Sequence, residues 1–205
     1  MLTAMYSYMD RISASYNTES GIEMEGCKCN HIIDSEFIGN GDDGIYLKRH
    51  DPSTQSSTEN VFDNVTSSYN ENGFVIHRHG ITYNVLNNSR LEGNSNAGIL
   101  FDPFPYVIFD NVFYNNILNN SGTNGNVHST SWWPDNVYDN LGFGPNIIGG
   151  PLIGGNCYTN SAGTGFSDTC VDGDSDGFCD DEYDLEDGDT NCAGSDNCDH
   201  YPLKL

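Results

Sequence analysis

The sequence predicts an all-β chain that folds as a parallel β-helix, a solenoid whose coils contribute short strands to common sheets. Three observations support this prediction. A glycine followed by an apolar-x-apolar strand occurs four times, the four glycines are 23, 29 and 25 residues apart, and asparagine-rich segments precede three of them. This spacing is close to one coil of a solenoid. We call the four phrases the anchors: Gly21-Ile22-Glu23-Met24, Gly44-Ile45-Tyr46-Leu47, Gly73-Phe74-Val75-Ile76 and Gly98-Ile99-Leu100-Phe101.

Each coil is predicted to consist of two or three short strands joined by tight bends. Glycine and asparagine tolerate the left-handed backbone of the tight bends between such strands. Neighbouring coils must bury the apolar face for one another, because no single coil can do so. An antiparallel β-sandwich with Asn-Gly hairpins is the alternative, but hairpin sheets do not require a fixed repeat. The asparagine-rich segments begin at Asn30, Asn60, Asn84 and Asn111.

Composition divides the chain into coils over residues 1–156 and an appendage over residues 157–205. The repeats run to about residue 120, and Trp132 and Trp133 follow in an irregular region. We interpret these tryptophans as a cover for the end of the core, with an exposed sugar-stacking platform as the alternative. The appendage is too poor in aliphatic residues to bury a core, so disulfides or metal must hold it. No cap is visible at the start, which predicts a longer parent polypeptide, or self-association through that end.

Charge and cysteine content restrict the function. The formal net charge is −23, which excludes nucleic acid as a natural partner and disfavours an anionic membrane surface. No apolar run is long enough to insert into a bilayer. Five of the seven cysteines lie after residue 156 without a Cys-x-x-Cys pair, which indicates disulfides and an oxidising compartment. We therefore expect a secreted or cell-surface protein.

The chain resembles known families in two respects. Its coils resemble the right-handed parallel β-helix proteins of the pectate-lyase-like superfamily. Its ending, with Gly154-Gly-Asn-Cys-Tyr158, Asp174-Ser-Asp-Gly-Phe178 and Asp199-His-Tyr-Pro-Leu203, resembles that of NosD-type β-helix proteins, although Cys157 and Tyr158 replace a Tyr-Trp pair. The resemblance implies a right-handed β-helix, but these families include lyases, epimerases, glycosidases, surface proteins and copper-pathway proteins. Methionine and histidine are sparse and unclustered, which argues against a soft copper site.

A loop of alternating aspartates predicts a calcium site in the appendage. Calcium takes six to eight oxygen ligands, and alternating carboxylates in a turning loop supply them. The twelfth position of the loop is Tyr183 rather than glutamate, so the EF-hand signature fails. A solvated acidic loop is the alternative. The predicted calcium ligands are Asp172, Asp174, Asp176, the Phe178 carbonyl, Asp180 and either Glu182 or Asp184.

Stacking the anchors predicts a second site. The outward positions after the anchors are Glu25, Lys48, His77 and Asp102. They would form a ladder of side chains on neighbouring strands about 4.8 Å apart. A uronate-handling enzyme needs cations for the sugar carboxylate and a base for the C5 proton. A ladder of compensating charges is the alternative. The candidate catalytic residues are Lys48, His77, Arg78 and Asp102, with Arg49, His50 and His79 as candidate substrate-binding residues.

The function predicted from the sequence is a calcium-stabilised β-helix with a carbohydrate-facing or structural surface. One alternative is a lyase or C5-epimerase acting on an acidic polysaccharide. Another is a subunit of a surface assembly or filament. The pair Asp42-Asp43 is similar to the paired aspartates of polygalacturonases, but Asp-Asp-Gly is also ordinary turn chemistry.

Overall fold

The chain is a parallel β-solenoid of about four turns with almost no helix, which confirms the predicted fold. The structure, a computed structural model, describes residues 4–49, 56–78, 80–102, 108–130, 135–186, 192 and 197–205. Trp132 and Trp133 lie outside these ranges.

Three long sheets, in which all strands pair in parallel, form the sides of the solenoid. Sheet I consists of β2 (Ile22–Glu25), β5 (Ile45–Lys48), β8 (Asn72–His77), β11 (Ala97–Asp102) and β14 (Gly125–Ser129). Sheet II consists of β1 (Tyr8–Asp10), β3 (His31–Ile33), β6 (Val61–Asp63), β9 (Val85–Asn87), β12 (Phe109–Tyr114) and β15 (Asp135–Val137). Sheet III consists of β4 (Glu36–Ile38), β7 (Thr66–Ser68), β10 (Arg90–Glu92), β13 (Ile117–Asn119) and β18 (Cys157–Thr159).

Short elements complete the fold. Two antiparallel pairs join β16 (Gly142–Phe143) to β17 (Leu152–Ile153) and β19 (Tyr183–Asp184) to β20 (Cys198–Asp199). The one described helix, α1, spans Phe166–Thr169. No helix in the described ranges is long and apolar enough to cross a bilayer.

The four anchors are neighbouring strands of sheet I, stacked in chain order as their spacing predicts. Ile22 pairs with Ile45, Ile45 with Phe74, and Phe74 with Ile99. Ile45, Phe74 and Ile99 are at most 1% exposed, whereas Ile22 on the edge strand β2 is half-buried. Because like positions stack, apolar side chains form continuous columns inside the solenoid.

Buried asparagines tie successive coils together at the corners. At the corner between sheets I and II, the backbone N–H and side-chain amide of Asn60 both donate to Oδ1 of Asn84, at 3.0 and 2.9 Å. Asn84 repeats both bonds to Asn111 at 3.0 and 2.9 Å. Asn94 and Asn120 do the same at the corner between sheets III and I. These amide ladders satisfy polar groups that burial would otherwise leave unpaired.

The segment after residue 156 packs against the last coil. Its first residues form β18, which pairs with β13 and so continues sheet III. Disulfides join Cys170 to Cys179 and Cys192 to Cys198, so four of the five late cysteines are paired within this segment, as predicted. Cys27 and Cys29 do not form a disulfide with each other, as predicted.

Candidate functional site

The outward side chains of sheet I form a charged row along the solenoid. Glu25 pairs in register with Lys48, Lys48 with His77, and His77 with Asp102. Thr130 adds a fifth position, because its hydroxyl donates to Asp102 Oδ1 at 2.8 Å. The repeat therefore brings together in space residues that lie 23 to 29 positions apart in the sequence.

Lys48 is held between two glutamates. Its ammonium contacts the carboxylate of Glu23 and lies 3.4 Å from Glu25 Oε2. The hydrogen bond to Glu23 is the main cause that raises the pKa of Lys48. A lysine that abstracts protons needs a lowered pKa, so this environment suits a structural cation rather than a base.

His77 is oriented by two neighbours. Its Nδ1 lies 2.7 Å from Asp102 Oδ2, and Arg78 Nε donates to its Nε2 at 3.3 Å. Because arginine only donates, Nε2 must present its lone pair and Nδ1 must carry the proton. The Tyr46 ring lies beside the imidazole, with centroids 5.7 Å apart. This arrangement fixes the tautomer and leaves an acceptor nitrogen on the outer face of the sheet.

An apolar row runs beside the charged row. Tyr46 pairs with Val75 and Val75 with Leu100. Tyr46 and Leu100 are partly exposed, whereas Val75 is 3% exposed. Burial raises the pKa of Tyr46 to about 12, so its hydroxyl stays protonated at neutral pH.

A row of amides borders the apolar row on its other side. Asn72 donates to Asp43 Oδ1 at 2.8 Å, Asn96 to Asn72 at 2.8 Å, and Asn124 to Asn96 at 2.9 Å. Burial raises the pKa of Asp43 to about 6. Asp43 therefore ends an amide row rather than facing Asp42 as half of an acid–base pair. We call the charged, apolar and amide rows together the sheet I face.

The remaining predicted basic residues are only partly described. Arg49 follows β5, and its guanidinium lies 3.5 Å from the position that a Cβ on Gly80 would occupy. It therefore lies beside the turn that follows β8. His50 and His79 lie outside the described residues.

Sequence reasoning missed the apolar and amide rows. The apolar row occupies the third position of the last three anchors, so the alternation that identified the charged row also contained it. Asn72 and Asn96 of the amide row lie just before the third and fourth anchors, at positions for which the sequence predicted no role.

The aspartate loop is organised by its own backbone. Carboxylate oxygens of Asp172, Asp174 and Asp176 lie within 4.8 Å of one another. However, Asp172 accepts the N–H groups of Asp176 and Gly177 at 3.2 and 3.1 Å. Asp180 accepts the N–H of Gly173 through both oxygens, at 3.1 and 3.0 Å. Three of the predicted ligands thus lie together, and Asp180 is turned towards the loop backbone.

Phe178 lies opposite Leu203 in an antiparallel bridge, whose hydrogen bonds are made by Cys179 N–H and the Gly177 carbonyl rather than by the Phe178 carbonyl. The two acidic candidates for the last ligand have protein partners. Asp184 Oδ1 accepts the Glu186 N–H at 2.8 Å. Glu182 Oε1 lies 2.8 Å from His200 Nδ1.

Comparison with known proteins identifies one family. A family model described as "Periplasmic copper-binding protein (NosD)" matches residues 3–163. No curated protein sequence matches the chain significantly. No solved structure does so either.

This match corrects the predicted cofactor. The prediction of calcium is wrong: the matching family is described as copper-binding, and nothing indicates calcium. The alternating aspartates were misleading because the carboxylates of Asp172, Asp176 and Asp180 accept N–H groups of their own loop.

Copper does not fit the described residues either. Two groups of three histidine, cysteine or acidic side chains in the described residues lie close enough together to hold one ion. One is Asp172, Asp174 and Asp176, and the other is Glu182 with Cys192 and Cys198. The two sulfurs of the second group form a disulfide. Neither group offers the thiolate, thioether or imidazole ligands that copper prefers.

Proposed function

The chain belongs to the NosD family, and on that premise we propose that it is a binding scaffold of the cell envelope whose sheet I face holds a carbohydrate chain. Family membership and the β-solenoid are consistent with a structural or binding role outside the cytoplasm. The observation that supports carbohydrate as the ligand is the set of three parallel rows on the sheet I face.

The rows match the two chemistries of a sugar ring. Pyranose rings have apolar C–H faces and hydroxyl edges. Tyr46 and Leu100 offer partly exposed apolar surface for the faces. Amides on one side and carboxylates on the other provide donors and acceptors for the hydroxyls. Because rungs repeat every ~4.8 Å, a linear glycan along the solenoid axis meets members of the three rows at successive rungs.

Charge favours a neutral glycan. The single lysine of the face is neutralised by Glu23 and Glu25. Asp43 and Asp102 add further carboxylates, and the whole chain has a formal net charge of −23. A polyanionic chain would be repelled by this field unless cations screened it.

One observation favours a second candidate, a lyase or C5-epimerase acting on a uronate polysaccharide. His77 presents the Nε2 lone pair that a base needs, and Asp102 orients its ring as in other acid–base pairs. Arg78 would have to leave Nε2 and bind the uronate carboxylate instead. This candidate is weaker because Lys48 is already neutralised.

Two disulfides support an oxidising compartment. The family description places relatives in the periplasm. Display on the cell surface is our more specific proposal.

Calorimetric titration tests the proposed function. The probes are a neutral β-1,4-glucan hexasaccharide and polygalacturonate of similar length. We expect the neutral probe to bind and Tyr46→Ala to weaken it about tenfold. Tyr83→Ala, which removes an exposed tyrosine at another corner, is the matched control and should bind normally.

Two results would contradict the proposal. One is the absence of binding to the neutral probe. The other is stronger binding of polygalacturonate than of the neutral probe. If the protein also releases unsaturated product from polygalacturonate, and His77→Ala abolishes that release, the lyase candidate is established.

A further inference from the structure

A second set of residues, at the corner between sheets III and I, combines exposed tyrosine side chains with glycines of the neighbouring coils. Four residues there adopt a left-handed backbone: Tyr16 at φ 60°, Gly39 at 66°, Tyr69 at 59° and Gly93 at 65°. They occupy equivalent positions in successive coils, so tyrosine and glycine alternate along the corner. We call these four residues the tyrosine–glycine strip.

The backbone alone does not explain the tyrosines. Glycine, and to a lesser degree asparagine, adopt left-handed conformations at lower cost than a bulky residue. The corner between sheets II and III has asparagine at three such positions and Arg11 and Asp34 at two others, and the corner between sheets I and II has Tyr6 and Tyr83. What distinguishes Tyr16 and Tyr69 from these two tyrosines is the glycine at the same position of the next coil.

Each tyrosine ring lies close to the glycine of the next coil. A Cβ on Gly39 would lie 2.8 Å from Cε1 of Tyr16, and one on Gly93 would lie 2.7 Å from Cε1 of Tyr69. A side chain at either glycine would therefore displace the ring. Tyr16 and Tyr69 are still 83% and 71% exposed, so most of each side chain faces water.

A polar cavity adjoins the second ring. Its volume is about 420 Å³, and Tyr69 and Gly93 are among its lining residues. So are Ser121 and Ser161, whose hydroxyls lie 3.3 Å apart. The other polar lining residues are Glu92, Asn94, Ser95 and Asn119.

We propose that the tyrosine–glycine strip is a second carbohydrate-binding site, which takes a neutral glycan. An exposed aromatic ring beside hydroxyls and amides suits a pyranose, whose face stacks while its edge donates and accepts hydrogen bonds. Tyr16 and Tyr69 are two coils apart, ~9.6 Å, a distance that spans two sugar rings of an extended chain. The site lies on a different edge of the solenoid from the apolar and charged rows and does not depend on them.

The test uses substitutions that suit the backbone. Tyr16→Asn and Tyr69→Asn remove the rings but place a residue that tolerates positive φ, so the fold should be retained. Tyr83→Asn is the matched control, because Tyr83 has φ 58° and is 55% exposed at another corner. Binding is measured by calorimetry and by NMR of tyrosine ring protons with a β-1,4-glucan hexasaccharide and a chitin hexasaccharide.

We expect each strip substitution to weaken one of the two probes about fivefold, and Tyr83→Asn to leave binding unchanged. The effects should persist in a Tyr46→Ala background, which separates this site from the sheet I face. Three results would overturn the inference: no binding of either probe to the unsubstituted protein, unchanged binding by both strip variants, or loss of all strip effects in the Tyr46→Ala background.

Discussion

Asp199→Asn tests how the segment after residue 156 attaches to the solenoid. Asp199 is fully buried and occupies the last position of an amide ladder. Its Oδ2 accepts the Asn156 N–H at 2.7 Å and the Tyr158 hydroxyl at 3.0 Å. Its Oδ1 accepts the Tyr201 N–H at 3.1 Å. A carboxylate thus stands where asparagine stands in the other coils.

Burial raises the pKa of Asp199 from 3.8 to about 7. The folded protein therefore holds a proton that the unfolded chain releases near pH 4. The associated stability is fully present below about pH 4 and is lost as pH rises through about 7. The loss is about 4 kcal/mol, from a difference of about three pKa units at 1.36 kcal/mol each.

Asparagine keeps an acceptor for Asn156 and Tyr158 but cannot ionise. Its amide would face the Tyr201 N–H, which costs about 1 kcal/mol for the lost hydrogen bond. We therefore expect Asp199→Asn to be slightly less stable than the unsubstituted protein at pH 4, and more stable by about 3 kcal/mol at pH 8.

Urea unfolding at several pH values between 4 and 8 measures this effect. Asp181→Asn, which removes an exposed carboxylate of the same segment, is the control and should follow the unsubstituted protein. If the stability curve of Asp199→Asn runs parallel to that of the unsubstituted protein, the carboxyl does not titrate on unfolding and the reasoning fails.

Three further predictions concern the solenoid and its attached segment. Asp43→Asn should flatten the pH dependence of the free energy of unfolding between about pH 4 and 6. Burial raises the pKa of Asp43 to about 6, so the stability contributed by the protonated carboxyl is lost as pH rises through that range. Urea unfolding measures this, and an unchanged slope of unfolding free energy against pH would contradict it. Asn84→Ala should lower the free energy of unfolding, measured by thermal unfolding, by about 3 kcal/mol, because the backbone N–H and side-chain amide of Asn60 lose their acceptor. Asn64→Gly, at an exposed position with a left-handed backbone, should lower it by under about 1 kcal/mol. Reduction of the two disulfides should make residues 160–205 sensitive to protease while the coils stay resistant, as mapped by mass; equal resistance before and after reduction would show that packing alone holds this segment.

The sequence was informative wherever the repeat itself determines the structure. The spacing of Gly21, Gly44, Gly73 and Gly98 predicts the stacking of sheet I, and alternation along each strand then places Lys48 beside His77. Cysteine positions predicted disulfides within the last segment for a similar reason, since few residues separate them. These predictions depend on periodicity and chain length, which a sequence shows directly.

Other features depend on contacts that spacing does not reveal. Asp199 ends a ladder whose previous member is Asn156, 43 residues earlier and outside the regular repeat. The neutralisation of Lys48 by Glu23 is a diagonal contact between strands rather than one within a column. The aspartate loop resembled a calcium site because composition does not show that Asp172 and Asp180 are occupied by backbone N–H groups.

The most direct test of the central claim, that the sheet I face binds a neutral glycan, is a map of backbone amide shifts by NMR during titration with the β-1,4-glucan hexasaccharide. The account predicts shifts in β5, β8 and β11, centred on Tyr46, Val75 and Leu100 and reduced by Tyr46→Ala. An unchanged spectrum, or shifts that avoid these three strands, would contradict it.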